Sequence, residues 1–197
     1  VQDAASQAVA PFTQVTPGMR VIDACAGAGG KALHLAAMMG NKGQLIALDI
    51  HHYKLRELKR RAKRAGAYNI ETRHIDNNKV IKKLHGSADR VLLDAPCSGL
   101  GVLRRNPDAK WKLNPDFIDR VVVEQQQILT QYAHMVKPGG KLIYVTCSIL
   151  PQENEEQIAD FKTTAIGKEY TLEKEQHLWP AANGFDGFYM ARLVRKV

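Results

Sequence analysis

The chain lacks most of the features that mark membrane-spanning, secreted and metal-built proteins. Its 197 residues contain no apolar run near the roughly 20 residues a bilayer-crossing helix needs, and no signal peptide opens it. The cysteines are three, Cys25, Cys97 and Cys147, with no CxxC pair, no metal-ligand spacing and no even count for a disulfide framework. That scarcity predicts a reducing, cytoplasmic setting. His34, His51, His52, His74 and His85 form no ligand set, so no metal is expected. Repeats, low-complexity tracts and linkers are missing too, and residues 1–197 read as one domain. There is no initiator Met: the sequence begins Val1-Gln2-Asp3, as expected of a piece trimmed from a longer protein.

What is present fits a folded domain with a sizeable core: 45% hydrophobic and 24% charged residues. Lys and Arg number 28 against 20 Asp and Glu, a formal net charge of +8. Such an excess favours polyanionic partners through counterion release, although a merely basic protein shares the same composition.

Apolar runs and helical patterns alternate from residue 20 onward. Strands are predicted at residues 20–25, 44–49, 70–75, 90–94, 141–147 and 187–196, and helices at 31–39, 53–65 and 153–161. A longer helix should start with Asn114 as N-cap and Pro115 as first helical residue. Its apolar side would run from Phe117 to Val136, ahead of a stop at Lys137-Pro138-Gly139-Gly140. Strands alternating with helices imply a doubly wound, mostly parallel α/β sheet.

In such a sheet, ligands bind beyond the carboxyl ends of the strands. That edge gathers Asp23, the loop Cys25-Ala26-Gly27-Ala28-Gly29-Gly30-Lys31, Asp49, Asp76, Asp94, Cys97 and Cys147. Asp49 lies about 20 residues past the glycine loop, where an acid binds ribose hydroxyls. Two cofactor classes use this layout: dinucleotides and S-adenosylmethionine. The loop has no GxGxxG match, because Ala32 stands where the third glycine belongs, which weakens the dinucleotide reading without removing it.

Asp94-Ala95-Pro96-Cys97-Ser98-Gly99 follows the fourth strand, and Thr146-Cys147-Ser148 follows the fifth. Together they resemble the two signature motifs of the Sun/Fmu (RsmB-like) RNA cytosine-C5 methyltransferases. The resemblance extends to Gln2-Asp3 with Ser6-Gln7, to Cys25 through Lys31, and to Arg104-Arg105-Asn106-Pro107-Asp108 with Lys110-Trp111. Pro151-Gln152-Glu153-Asn154-Glu155 and Asp186-Gly187-Phe188 also match, so nearly the whole chain is covered in order. The family's loop carries Ala-Pro where this chain has Gly27-Ala28, and its third-strand acid follows Gly where Asp76 follows Ile75. The first departure implies a more flexible turn.

The resemblance implies a seven-stranded, Rossmann-like, S-adenosylmethionine-dependent methyltransferase fold, read as the catalytic part of a protein with further RNA-binding segments upstream. It implies covalent catalysis. Cytosine C5 is a poor nucleophile until a thiolate adds at C6. Cys147 would be that thiolate, Cys97 would assist resolution of the adduct, and Asp94 would hold the cytosine edge or the cofactor. Asp49 would hold the ribose and Asp76 the adenine side. Residues Cys25, Ala26, Gly27, Ala28, Gly29, Gly30 and Lys31 would hold the methionine portion. By packing statistics Cys25 is an inert core thiol that contributes backbone only.

Arg104, Arg105, Lys110 and Trp111 are the RNA-binding candidates, with Trp111 either stacking on a base or lying in the core. The cluster from Lys54 to Arg64 reads first as a solvated helix face and second as an RNA contact. Ribosomal RNA is the preferred substrate and transfer RNA the alternative. Rival readings are a DNA cytosine-C5 methyltransferase with Cys97 as nucleophile, a non-catalytic RNA-binding assembly factor, and, more distantly, a nicotinamide dehydrogenase.

Overall fold

The computed structural model describes residues 2–180 and 184–197. Its centre is one seven-stranded sheet: β1 (Arg20–Asp23), β2 (Gln44–Asp49), β3 (Ile70–His74), β4 (Ala88–Asp94), β5 (Val136–Thr146), β6 (Tyr170–Leu178) and β7 (Phe188–Arg195). The spatial order is β3-β2-β1-β4-β5-β7-β6. The first five strands run parallel, whereas β7 is antiparallel to both β5 and β6. The order reverses between β1 and β4, and a doubly wound sheet opens its ligand crevice at that switch point.

Alternation along the strands gives the sheet two buried faces. Val21, Leu45, Leu92 and Ile143 pack on one side with Val9, Leu35, Leu55 and Leu58. These last come from α1 (Ala4–Phe12), α2 (Gly30–Met38) and α3 (His52–Arg64). Ile22, Leu48, Val91, Leu93 and Tyr144 face the other way, onto Ile81, Leu129, Tyr132, Ile158 and Phe161. The helices on that side are α4 (Asn78–Lys82), α6 (Pro115–Ala133) and α7 (Glu155–Thr163), while α5 (Ala109–Lys112) is a short surface turn.

The start of α6 is as expected: the Asn114 side chain accepts a hydrogen bond from the Phe117 N–H at 2.8 Å. Its end is not. The helix stops at Ala133, and Val136 already pairs with Ala88 as the first residue of β5. Pro138 disfavours helical backbone at the preceding residue, and Met135 and Val136 are apolar enough to be buried completely in the sheet layer. The helix expected at 153–161 begins two residues later, because Pro151–Glu153 forms a 3-10 turn first. Residues 4–12 and 170–178, which have no element in the sequence reading, form α1 and β6.

Candidate active site

A cavity of about 490 Å³ opens at the carboxyl ends of the central strands. Its lining includes Cys25, Gly27 and Lys31 after β1, Asp49 and His51 after β2, and Ile75 after β3. Asp94, Pro96, Cys97 and Cys147 follow β4 and β5, and Tyr132 of α6 forms part of the wall.

The glycine loop is shaped by left-handed backbone at Gly27 (φ 54°) and Gly29 (φ 86°), which side-chain-bearing residues rarely adopt. A Cβ at Gly29 would also strike Leu58 of α3. The loop is tied at its middle by two hydrogen bonds. Gly27 N–H donates to Asp49 Oδ2 at 2.8 Å, and Arg61 Nη1 donates to the Ala28 carbonyl at 2.7 Å. Asp49 Oδ1 accepts from His51 N–H at 2.7 Å, so the acid is fixed by backbone donors on both oxygens. Arg61 thus steadies the turn at Ala28 from α3.

Lys31 Nζ lies 2.7 Å from Asp94 Oδ2 and 5.4 Å from the centre of the Phe188 ring. Burial works against its charge, but Asp94 holds its pKa above the ordinary lysine value. Asp23, at the end of β1, is buried, and among the described residues neither carboxylate oxygen has a well-formed hydrogen-bond partner. Burial first, and then the Asp94 and Asp49 charges against the opposing Lys31, push its pKa up to about 7. Asp23 is among the residues around a smaller recess of about 220 Å³, with Gln2, Gly27, Lys31 and Asp94. A buried carboxyl of this kind either keeps its proton or takes up a cation.

Cys97 and Cys147 lie with their sulfurs 3.3 Å apart. The two thiols are not equivalent. A hydrogen bond from Cys97 holds Cys147 below the ordinary thiol range; Lys31 assists, while burial and Asp94 oppose. Cys97 is pushed the other way by that same bond, then by burial and by the charges of Cys147 and Glu153. Thiolate character is what makes a cysteine nucleophilic, and the pair concentrates it on Cys147. Burial and the surrounding Asp23, Asp94 and Asp49 raise Cys25, which suits an inert thiol.

The remaining sequence candidates lie apart from this cavity. Asp76 is exposed, its carboxylate bonded to the Asn77 amide, and Ile75 takes the lining position. Arg105 pairs with the buried Asp186, and Arg104 reaches Asp3 at 3.5 Å and the Gly184 carbonyl at 2.7 Å. Both arginines thus tie their loop to the segment ahead of β7. Trp111 is 80% exposed, with Lys110 Nζ 4.8 Å from its ring centre, so it is not a core residue. Sequence reasoning assigned no role to Asp23 or Glu153. The motif containing Glu153 was visible, but nothing in it said that the carboxylate turns inward.

Residues 13–194 match the family described as 16S rRNA methyltransferase RsmB/F. A probable ribosomal RNA small subunit methyltransferase B of Synechocystis sp. is 42% identical over 82% of this chain and 36% of its own length. The corresponding Bacillus subtilis protein is 36% identical over all of this chain and 47% of its own. The chain thus spans less than half the length of these relatives. Among solved structures, NSun6 from Pyrococcus horikoshii with SFG, an S-adenosylmethionine analogue, superimposes with a TM-score of 0.88 at 28% identity. That likeness covers 98% of this chain and 52% of the other. By its matched span and by the fold that carries its two cysteine loops, this chain belongs to the RsmB/F family of S-adenosylmethionine-dependent methyltransferases.

Proposed function

We propose that the chain methylates C5 of cytosine in RNA, ribosomal RNA by preference, with Cys147 as the covalent nucleophile. The observation that carries this reading is the 3.3 Å thiol pair at the rim of the same cavity as Asp49, Lys31 and Asp94. The cavity's chemistry fits S-adenosylmethionine. Asp49 would hold the ribose, and the loop from Cys25 to Lys31 the methionine portion. Asp23, buried and without a well-formed hydrogen-bond partner among the described residues, would receive that portion's ammonium group. Ile75 offers apolar contact on the adenine side, a role for which Asp76 is the polar alternative. When bound, the cofactor supplies an electrophilic methyl group on sulfonium sulfur.

In the proposed reaction the Cys147 thiolate adds to C6 of cytosine, which breaks the C5–C6 double bond and makes C5 nucleophilic. C5 takes the methyl group and then loses its proton. The electrons of the broken C5–H bond restore the double bond and expel Cys147 as thiolate. Cys97, donating a hydrogen bond to the same sulfur, stabilises the departing thiolate and so assists release. Asp94, held by Lys31, would support the cytosine edge. The base must be reached outside a stacked helix; Trp111 offers a stacking surface beside the cation of Lys110, with Arg104 and Arg105 close in sequence.

The test is to incubate wild type, Cys147→Ala and Cys97→Ala with cofactor and cytosine-containing RNA, ribosomal and transfer, and resolve protein–RNA adducts on a denaturing gel. The expected result is an adduct that vanishes without Cys147 and persists or accumulates without Cys97, most strongly with ribosomal RNA. An adduct dependent on Cys97 alone would overturn the assignment in favour of DNA-type chemistry.

A further inference from the structure

Beyond the reacting groups, Glu153 is the most unusual residue near the two thiols. It is fully buried, and no cation pairs with it among the described residues. Its Oε1 accepts from the Ser98 N–H at 2.7 Å and from Gln125 Nε2 at 3.1 Å. Its Oε2 accepts from the Ser98 hydroxyl at 2.5 Å and from the Ser148 hydroxyl. Four donors fill the four acceptor positions of a carboxylate, which is the arrangement an ionised group requires when water is excluded. Gln125 also donates to the Pro96 carbonyl at 2.8 Å, and the Tyr144 hydroxyl donates to the Glu153 carbonyl at 2.8 Å.

Ser98 directly follows Cys97, and Ser148 directly follows Cys147. One carboxylate therefore grips both cysteine loops, which leave two different strands. We propose that Glu153 is a positioning residue that sets the spacing of the two thiols and decides which of them ionises. Its clamp holds the sulfurs within hydrogen-bond reach, and its negative charge acts on the Cys97 side, disfavouring a thiolate there. The charge asymmetry already noted for the pair is consistent with this, since Glu153 is among the groups that raise Cys97. The catalytic meaning of the device rests on the cytosine-C5 reading, but the ionisation claim does not, because it concerns the protein alone.

The experiment is competitive alkylation with iodoacetamide across a pH series, with each cysteine followed by mass spectrometry and folding checked by thermal melting. Wild type should alkylate at Cys147 about tenfold or more faster than at Cys97 near neutral pH. Glu153→Gln removes the charge and sets an amide N–H₂ against a donor, so the ratio should fall toward one, with the Cys147 profile moving to higher pH. Ser148→Ala keeps the charge but frees the Cys147 loop. It should slow Cys147 without speeding Cys97, and it decides the matter if Glu153→Gln does not fold. In adduct assays Glu153→Gln should lower the rate at saturating RNA and leave RNA affinity unchanged. Folded variants with the wild-type ratio and pH profile would overturn the proposal, even where adduct formation upholds the Cys147 mechanism.

Discussion

At the residue scale, the site is a set of charges whose neighbours decide their state. Asp23 gives the sharpest case. Its carboxyl is raised from the ordinary 3.8 to about 7, so between those values the folded protein holds a proton that the unfolded chain has released. Stability must therefore fall as pH rises through that window and level off above it. In Asp23→Asn the fall should flatten, and the variant should melt higher than wild type near pH 8 without cofactor. Cofactor binding should show the opposite preference, because an ammonium favours the ionised carboxylate: affinity should rise with pH through about 7. Asp23→Asn should weaken it by about ten- to a hundredfold, the worth of a charge-assisted hydrogen bond. Calorimetric titration at two pH values checks this. The candidates that sequence exposed are those set in distinctive local strings, such as Cys97 and Cys147. Sequence places Asp23 on the ligand-binding edge and Glu153 in a matching motif but gives neither a role, because what sets them apart is burial and neighbours up to 71 residues away, as with Asp94 near Asp23, which no local pattern records.

At the element scale, local signals and tertiary packing divide the credit. Asn114 and Pro115 opened α6 as a cap and first-turn residue should, and the cap hydrogen bond is formed. Asn114→Ala should cost about 1 kcal/mol and lower the melting temperature while leaving thiol reactivity unchanged, because Gln125 sits well inside the helix. The end of the same helix was not legible: Met135 and Val136 continue its apolar stripe, and only the pairing of Val136 with Ala88 shows that the chain has left the helix for β5. The edge strand β6 was hidden for another reason. Its run Leu172-Glu173-Lys174-Glu175-Gln176 is dominated by charge, and its pairing with β7 shifts register between Leu172 and Lys174. Charged, irregular edges of this kind discourage pairing with other chains, and they also erase the alternation by which strands are recognised. The resemblance to a known family supplied the seventh strand that periodicity did not.

At the scale of the whole molecule, the order of strands determines what the residues can do. The reversal between β1 and β4 leaves a crevice there, with Asp23 and Asp94 on its two sides. The parallel neighbours β4 and β5 then end side by side, Asp94 opposite Val145, which is why cysteines 50 residues apart in sequence touch. A net charge of +8 over the whole chain favours polyanionic partners in general. Together these features put the proposed nucleophile, the thiol beside it and the proposed cofactor cavity within one rim. The central claim, that methyl transfer occurs at cytosine C5 through Cys147, is tested most directly with RNA carrying tritium at cytosine C5. Wild type with S-adenosylmethionine should release tritium to water in step with methyl incorporation, and Cys147→Ala should do neither. Methyl incorporation with tritium retained, or undiminished release by Cys147→Ala, would contradict the account.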